Sequence, residues 1–232
     1  MARRTNYRGK PVVFPLGAMP LAAVAVGLAA EPSRWLVFLC GVACLGLMDD
    51  LVDAAPRGWR GHGRALARGE FSTGAIKAGG TAVLAAYAAA GQGTSGSAYV
   101  AEVGVLTLAA HVGNLLDTRP GRSEKALALV AAAACAASWS LAPLEPIALL
   151  IGPVALGAWL TLRERAMLGD SGASLIGGMI GVVLVTTLAA PATYVTLAVL
   201  ISVSLYGEFR SISSAIDRVP LLERLDSLGR AN

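Results

Sequence analysis

The sequence predicts an all-α, polytopic membrane protein: about eight transmembrane helices around a cleft that faces the cytoplasm. Three observations predict it. The 232 residues are 55% hydrophobic and only 15% charged, with mean hydropathy +0.63, which is too apolar for an ordinary soluble domain. Apolar runs recur at lengths close to the roughly 20 residues that a helical span needs. Threading these runs in alternation places 18 of the 19 Lys and Arg on one side of the membrane.

The basic start MARRTNYRGK leads into a first run at 12–30 that lacks a clear small-residue cleavage site, so it reads as a retained span and not as a signal peptide. Further runs lie at 35–52, 76–91, 98–116, 126–141, 146–162, 172–190 and 192–207. Residues 1–207 are therefore expected to form a single transmembrane domain, with 208–232 a cytoplasmic tail. Arg3, Arg4, Arg8 and Lys10, the loops at 53–77, 117–125 and 163–171, and the tail hold every basic residue except Arg34. The positive-inside rule then puts both termini in the cytoplasm. The net charge of +4 reflects this topology and contact with anionic headgroups, and calls for no nucleic-acid partner. Cys40, Cys44 and Cys135 fall inside predicted spans without metal-ligand or disulfide spacing and read as small core residues.

The loops on the far side are short, whereas those on the basic side carry the chemistry. Asp49, Asp50 and Asp53 close the second span in GLMDDLVD at 46–53, Asn114 and Asp117 close the fourth, and Asp170 opens the seventh. Carboxylates beside hydrocarbon are costly unless paired, and the negative end of a helix dipole makes them costlier still. Three acidic clusters on one face can share a hard cation such as Mg²⁺. The acids can equally mark the water boundary or pair with Arg57, Arg60 or Arg64. In HVGNLLDTRPGRSEK at 111–125, Arg119, Arg122 and Lys125 have the fork chemistry to hold phosphate oxygens, or they form a solvated positive-inside loop. In MLGDSGASLIGGMIG at 167–181, Asp170 or Ser171 can cap a helix, a role compatible with metal ligation by Asp170, and Gly177 and Gly181 form a close-packing face. Small residues in AAYAAAG at 85–91 and VAAAACAAS at 130–138 permit close helix contacts, including those of a homodimer.

Four stretches, in order, carry a family resemblance: NYRGKPVVFPLG at 6–17, GLMDDLVD at 46–53, NLLDTRPGR at 114–122 and MLGDSGASLIGG at 167–178, with GHGRALARGEFSTGAIKAGG at 61–80 as a weaker fifth. Together they resemble the polyprenyl-phosphate N-acetylhexosamine-1-phosphate transferases. That resemblance implies transfer of a phosphosugar from a nucleotide-sugar to a polyprenyl phosphate such as undecaprenyl phosphate, with Mg²⁺ (or Mn²⁺), in cell-envelope glycan synthesis at the plasma membrane. It implies Asp170 as main metal ligand, Asp49 and Asp50 positioning metal and lipid phosphate with Asp49 the candidate base, Asn114 and Asp117 lining the nucleotide-phosphate site, and Lys77 facing the phosphates.

Departures from the family pattern are equally specific. The family leads one to expect a span before residue 1 and a longer C-terminal region. Its His-rich loop has no counterpart, the histidines being His62 and His111, and EFRSISSAIDRVPLLERLDSLGR at 208–230 stands in its place. Leu221, Leu222, Leu225 and Leu228 recur there at helical spacing, as in an interfacial amphipathic helix. Pro120 replaces the family's second loop acid, and Met167 its aromatic, at positions that help hold uracil. These changes favour a competing expectation: a non-catalytic, lipid-carrier-binding relative that serves as a membrane partner in envelope assembly. An ion-coupled transporter ranks last, because transporter sites lie near the midplane and these acids lie at the rim.

Overall fold

The computed structural model describes residues 2–6, 8–9, 11–30, 32–52 and 73–230, without the side chains of residues 2 and 3. Asp53 and most of the 53–77 loop, with Arg57, Arg60, His62 and Arg64, lie outside the described residues.

Two prolines decide the start of the chain. Pro11 and Pro15 bracket Val12, Val13 and Phe14, a β-favouring triplet that a helix would accommodate poorly. The first span expected from residue 12 is therefore corrected: β1 (Ala2–Thr5) pairs antiparallel with β2 (Pro11–Phe14), and helix α1 begins only at Ala18 (Ala18–Ala30). Beyond this hairpin the chain is all-α. The helices are α2 (Arg34–Leu51), α3 (Thr73–Ala89), α4 (Gly96–Leu116), α5 (Arg122–Ser138), α6 (Ala148–Leu162, preceded by a 3₁₀ turn from Ala142), α7 (Gly169–Thr187), α8 (Ala190–Phe209) and two short tail helices, α9 (Ile212–Asp217) and α10 (Pro220–Ser227).

Among the described residues, four helical segments are long and apolar enough to cross a membrane: Gly96–Leu116, Ala142–Leu162, Gly169–Thr187 and Ala190–Phe209. The expected eight is corrected on this criterion, and the reasons are visible in the other four. Helix α1 has 13 residues, about 20 Å of rise against a hydrocarbon core of about 30 Å. Helix α2 carries Arg34, Asp49 and Asp50 within its 18 residues. Helix α5 has 17 residues and carries Arg122, Glu124 and Lys125, and helix α3 is described from Thr73 onward and carries Lys77.

Helix α7 is the hub. Its glycines and alanine let neighbouring backbones approach, so nearly every residue from Gly169 to Val183 is buried, with α2, α4 and α5 packed around it. A Cβ at Gly177 would strike the backbone of Ala109 and Ala110 on α4, and one at Gly113 would strike α7 at Ala173 and Gly177. The close-packing face read from Gly177 and Gly181 is thus realised against α4. Phe38, Leu39, Val42, Leu175, Ile176 and Met179 fill the centre. In a lipid setting such contacts stabilise through packing and dispersion, because hydrocarbon already surrounds the separated helices.

The outside of the bundle is apolar. Val26, Val83, Val100, Leu129 and Val195 are each more than half exposed, a pattern that fits lipid contact and not water. Cys44 belongs to this surface and Cys40 and Cys135 are half-buried, so none is the core residue expected. Aromatic side chains mark both ends: Tyr87, Trp139 and Tyr194 at one, Trp159, Tyr206 and Phe209 at the other, as in interfacial belts. Arg34 stacks over Tyr87 at the first end, and Arg163 and Arg165 flank Trp159 at the second. Ala85, Ala88 and Ala89 are buried within the chain, which spends one of the two small-residue stripes internally.

Candidate active site

The ends of α2 and α4 and the starts of α3, α5 and α7 meet at the second of these ends, and they carry the acids and cations singled out by the sequence. Asp50, on the last turn of α2, is buried. Its two carboxylate oxygens accept from the backbone N–H groups of Asp170 (2.8 Å) and Ser171 (3.0 Å). This satisfies two of the unpaired donors at the start of α7 and sets the negative carboxylate against the positive end of that helix dipole. The contact requires α2 to touch α7 backbone to backbone. Gly46 allows it, since a Cβ there would collide with Asp170 O and Ser171 Cα. Gly169, at φ +76, turns the chain into α7 in a conformation that glycine adopts without strain.

Lys77, four residues into α3, reaches across to Asp170. Its Nζ lies 2.6 Å from Asp170 Oδ2 and 3.7 Å from Asp49 Oδ2. The Asp49 and Asp170 carboxyls themselves lie within hydrogen-bonding reach of each other, so one ammonium offsets two adjacent acids. Asn114 of α4 approaches the same Asp170 oxygen at 3.5 Å through Nδ2, while its Oδ1 accepts from Ser174 Oγ at 3.2 Å. Asp49, Asp50, Lys77, Asn114 and Asp170 thus form one constellation. Asp49 and Asp170 have the oxygen chemistry of which a hard divalent cation takes one or two carboxylates when phosphates and waters complete its shell. Each Asp50 oxygen already accepts one backbone N–H, and each keeps further lone-pair capacity. Among the described residues no three acids, His or Cys converge as a self-sufficient metal cage.

Beside the constellation opens a cleft lined by Asn6, Asp117, Thr118, Arg119, Pro120, Thr161, Glu164 and 166–168. It brings together Pro120 and Met167. Asp117 sits between cleft and constellation. Burial pushes its carboxyl well above the usual range, and the charges of Glu124, Asp170 and Asp50 add to this against the opposing Arg122. Glu124 lies beneath, buried, accepting from Thr161 Oγ1 at 2.7 Å, and burial raises it as well. Buried carboxyls in this position hold protons more readily than exposed ones.

Arg119 lines the cleft, but Arg122 does not. Its guanidinium makes a bidentate pair with Asp226 of α10, both N···O distances 2.8 Å, and donates to Thr118 Oγ1 (2.7 Å) and Ser213 Oγ (3.0 Å). It is 5% exposed. The expected phosphate fork is instead a tail anchor. Burial opposes ionisation of Asp226, yet hydrogen bonds and charge from Arg122 and Arg230 hold its carboxyl down at about 2.

Several cleft residues were not singled out by the sequence reading. Val13 and Leu16 pair their backbones with 165–167, adding the N-terminal hairpin to the cleft wall. Glu164, at positive φ, accepts from Asn6 Nδ2 at 3.4 Å and pairs with Arg8 at 3.2 Å. The quoted stretch NYRGKPVVFPLG was the available signal, but its partners lie some 150 residues away. Compared with models of protein families, with curated proteins and with solved structures, the chain matches none of them.

Proposed function

We propose that the chain is a Mg²⁺-dependent phosphoglycosyl transferase of the plasma membrane, in which the phosphate of a polyprenyl carrier attacks the sugar-proximal phosphate of a nucleotide-sugar and a nucleoside monophosphate leaves. One observation carries this reading: the Asp49–Lys77–Asp170 constellation adjoins a cleft walled by Asp117, Arg119, Pro120 and Met167, at one end of a bundle with spans long enough for a membrane. A lipid-borne nucleophile and a water-soluble donor can meet only at such a rim.

In this reading the site end faces the cytoplasm, consistent with the basic residues on that side. Asp170 and Asp49 would hold the ion, which when bound neutralises phosphate charge as it does elsewhere in phosphoryl transfer. Lys77 turns from its acid partners toward the incoming phosphates. Asp50 fixes the position of Asp170 by capping its helix. Arg119 grips the donor's pyrophosphate, and Asp117, when protonated, donates a hydrogen bond to it. A lipid phosphate is largely ionised near neutral pH, so Asp49 acts mainly by position and little as a base.

A second reading, a non-catalytic lipid-carrier-binding partner, is favoured by Lys77, whose ammonium already supplies the counter-charge between the two carboxylates. Purified protein given undecaprenyl phosphate, Mg²⁺ and a panel of nucleotide-sugars separates the two: lipid-linked product supports the enzyme, and binding of lipid without product supports the partner.

A further inference from the structure

The tail reaches back to the cleft and leaves one face uncovered. On α10, Asp226 is buried against Arg122, its carbonyl accepts from Lys125 Nζ at 2.5 Å, and Arg230 reaches Pro120 O at 3.2 Å. Ser213 of α9 lies 3.0 Å from Thr118 Oγ1. Thr118 and Pro120 are walls of the cleft, so the tail holds the 117–122 turn from outside. On the same helix Leu221, Leu222, Leu225 and Leu228 are exposed, the outer two by 67% each, and Val219 and Phe209 extend the strip toward α8. At about 100° per residue these leucines cover an arc of about 120°, with Asp226 just past its edge. One helix therefore offers a polar edge to the protein and an apolar arc to something else.

We propose that this something is the anionic lipid surface beside α8, and that α10 is a membrane-supported brace which positions the Thr118–Pro120 wall through Asp226 and Arg122. The occupant follows from continuity and charge. Helix α8 is itself long and apolar enough to cross a membrane, and Val219 stands only ten residues past its end at Phe209, which keeps α10 near the membrane boundary. Exposed Arg210, Arg218 and Arg224 lie along this segment with exposed Asp217 and Glu223 between them, so the leucines seat at the acyl boundary while the arginines reach anionic headgroups at its edge. Docking needs no catalysis and stands apart from the transferase reading.

The test uses the full chain in nanodiscs holding one protomer, of phosphatidylcholine with or without phosphatidylglycerol. A variant with the three cysteines replaced by Ala and Leu222→Cys carries an environment-sensitive fluorophore. Quenching by lipid-borne spin labels, stronger with phosphatidylglycerol, is the expected result. Full access to a water-soluble quencher, or burial only in discs with two protomers, overturns the lipid assignment. Hydrogen exchange at 117–122 tests the brace: Asp226→Asn and the double variant Leu222→Glu/Leu225→Glu should each speed it at least about tenfold, with Asp226→Glu restoring protection in part and Glu223→Gln leaving it unchanged. Unchanged exchange in the leucine variant, whose Asp226 is intact, overturns the coupling.

Discussion

Asp50 caps a helix that begins 119 residues later in the chain: its Oδ1 accepts from the Asp170 N–H at 2.8 Å and its Oδ2 from Ser171 N–H at 3.0 Å. The acids at the end of α2 are thereby offset by two distinct charges. The positive pole of α7 serves Asp50, and the Lys77 ammonium serves Asp49 and Asp170.

Asp50→Ala removes both acceptors at once. Loss of a helix cap costs about 0.5–2 kcal/mol, and the buried location places the cost at the upper end, so detergent-solubilised protein should melt several degrees lower. Asp50→Asn keeps one acceptor oxygen and should lose less. An unchanged melting temperature in the alanine variant contradicts the capping role.

In the proposed reading, Lys77 and a divalent cation compete for the same two carboxylates. In Lys77→Gln the acids face each other without a counter-charge, so the variant should melt lower than wild type in chelator and gain more from added Mg²⁺. Equal Mg²⁺-induced shifts in the two proteins would remove Asp49 and Asp170 from the metal site.

The convergence of these groups was legible in the sequence, and their pairings were not. Acids at one rim follow from hydropathy and the distribution of Lys and Arg, because both are local patterns. Asp50 as a cap and Arg122 as the partner of Asp226 are contacts across more than a hundred residues, and no local period encodes them. Arg122 looked like a phosphate fork because fork chemistry is the same for a carboxylate as for a phosphate. The hairpin is hidden in the sequence because 12–30 is apolar throughout, and only Pro11 and Pro15 mark the break from helix. The expectation of eight spans overshoots where α1 is short and where charges in α2 and α5 interrupt the apolar stretch, although those helices do form.

Asp117 should make stability depend on pH. Its carboxyl titrates well above 3.8 in the folded chain, so the folded state binds the proton more tightly than the unfolded one. That contribution is fully present below the ordinary carboxylate value and is lost as pH rises through the folded one. Asp117→Asn cannot ionise, and its melting temperature relative to wild type should climb steadily as pH is raised. A constant difference across pH contradicts the raised value.

Pro120 and Met167 share the cleft, and neither offers the polar grip on a base that discriminates strongly. Comparing kcat/KM for UDP-, TDP-, ADP- and GDP-linked forms of the accepted sugar should show weak base preference, with Pro120→Asp sharpening it toward uridine. A wild-type uridine preference above about a hundredfold, close to 2.7 kcal/mol, would mean that other residues read the base.

The most direct measurement is product formation by the purified, full-length chain in detergent or nanodiscs, with undecaprenyl phosphate, Mg²⁺ and a nucleotide-sugar panel, beside Asp170→Asn shown to fold by its melting curve. The account predicts a lipid-linked phosphosugar and a nucleoside monophosphate in equal amounts, abolished by chelator and by the variant. No lipid-linked product from any donor, or equal product from wild type and Asp170→Asn, would contradict it.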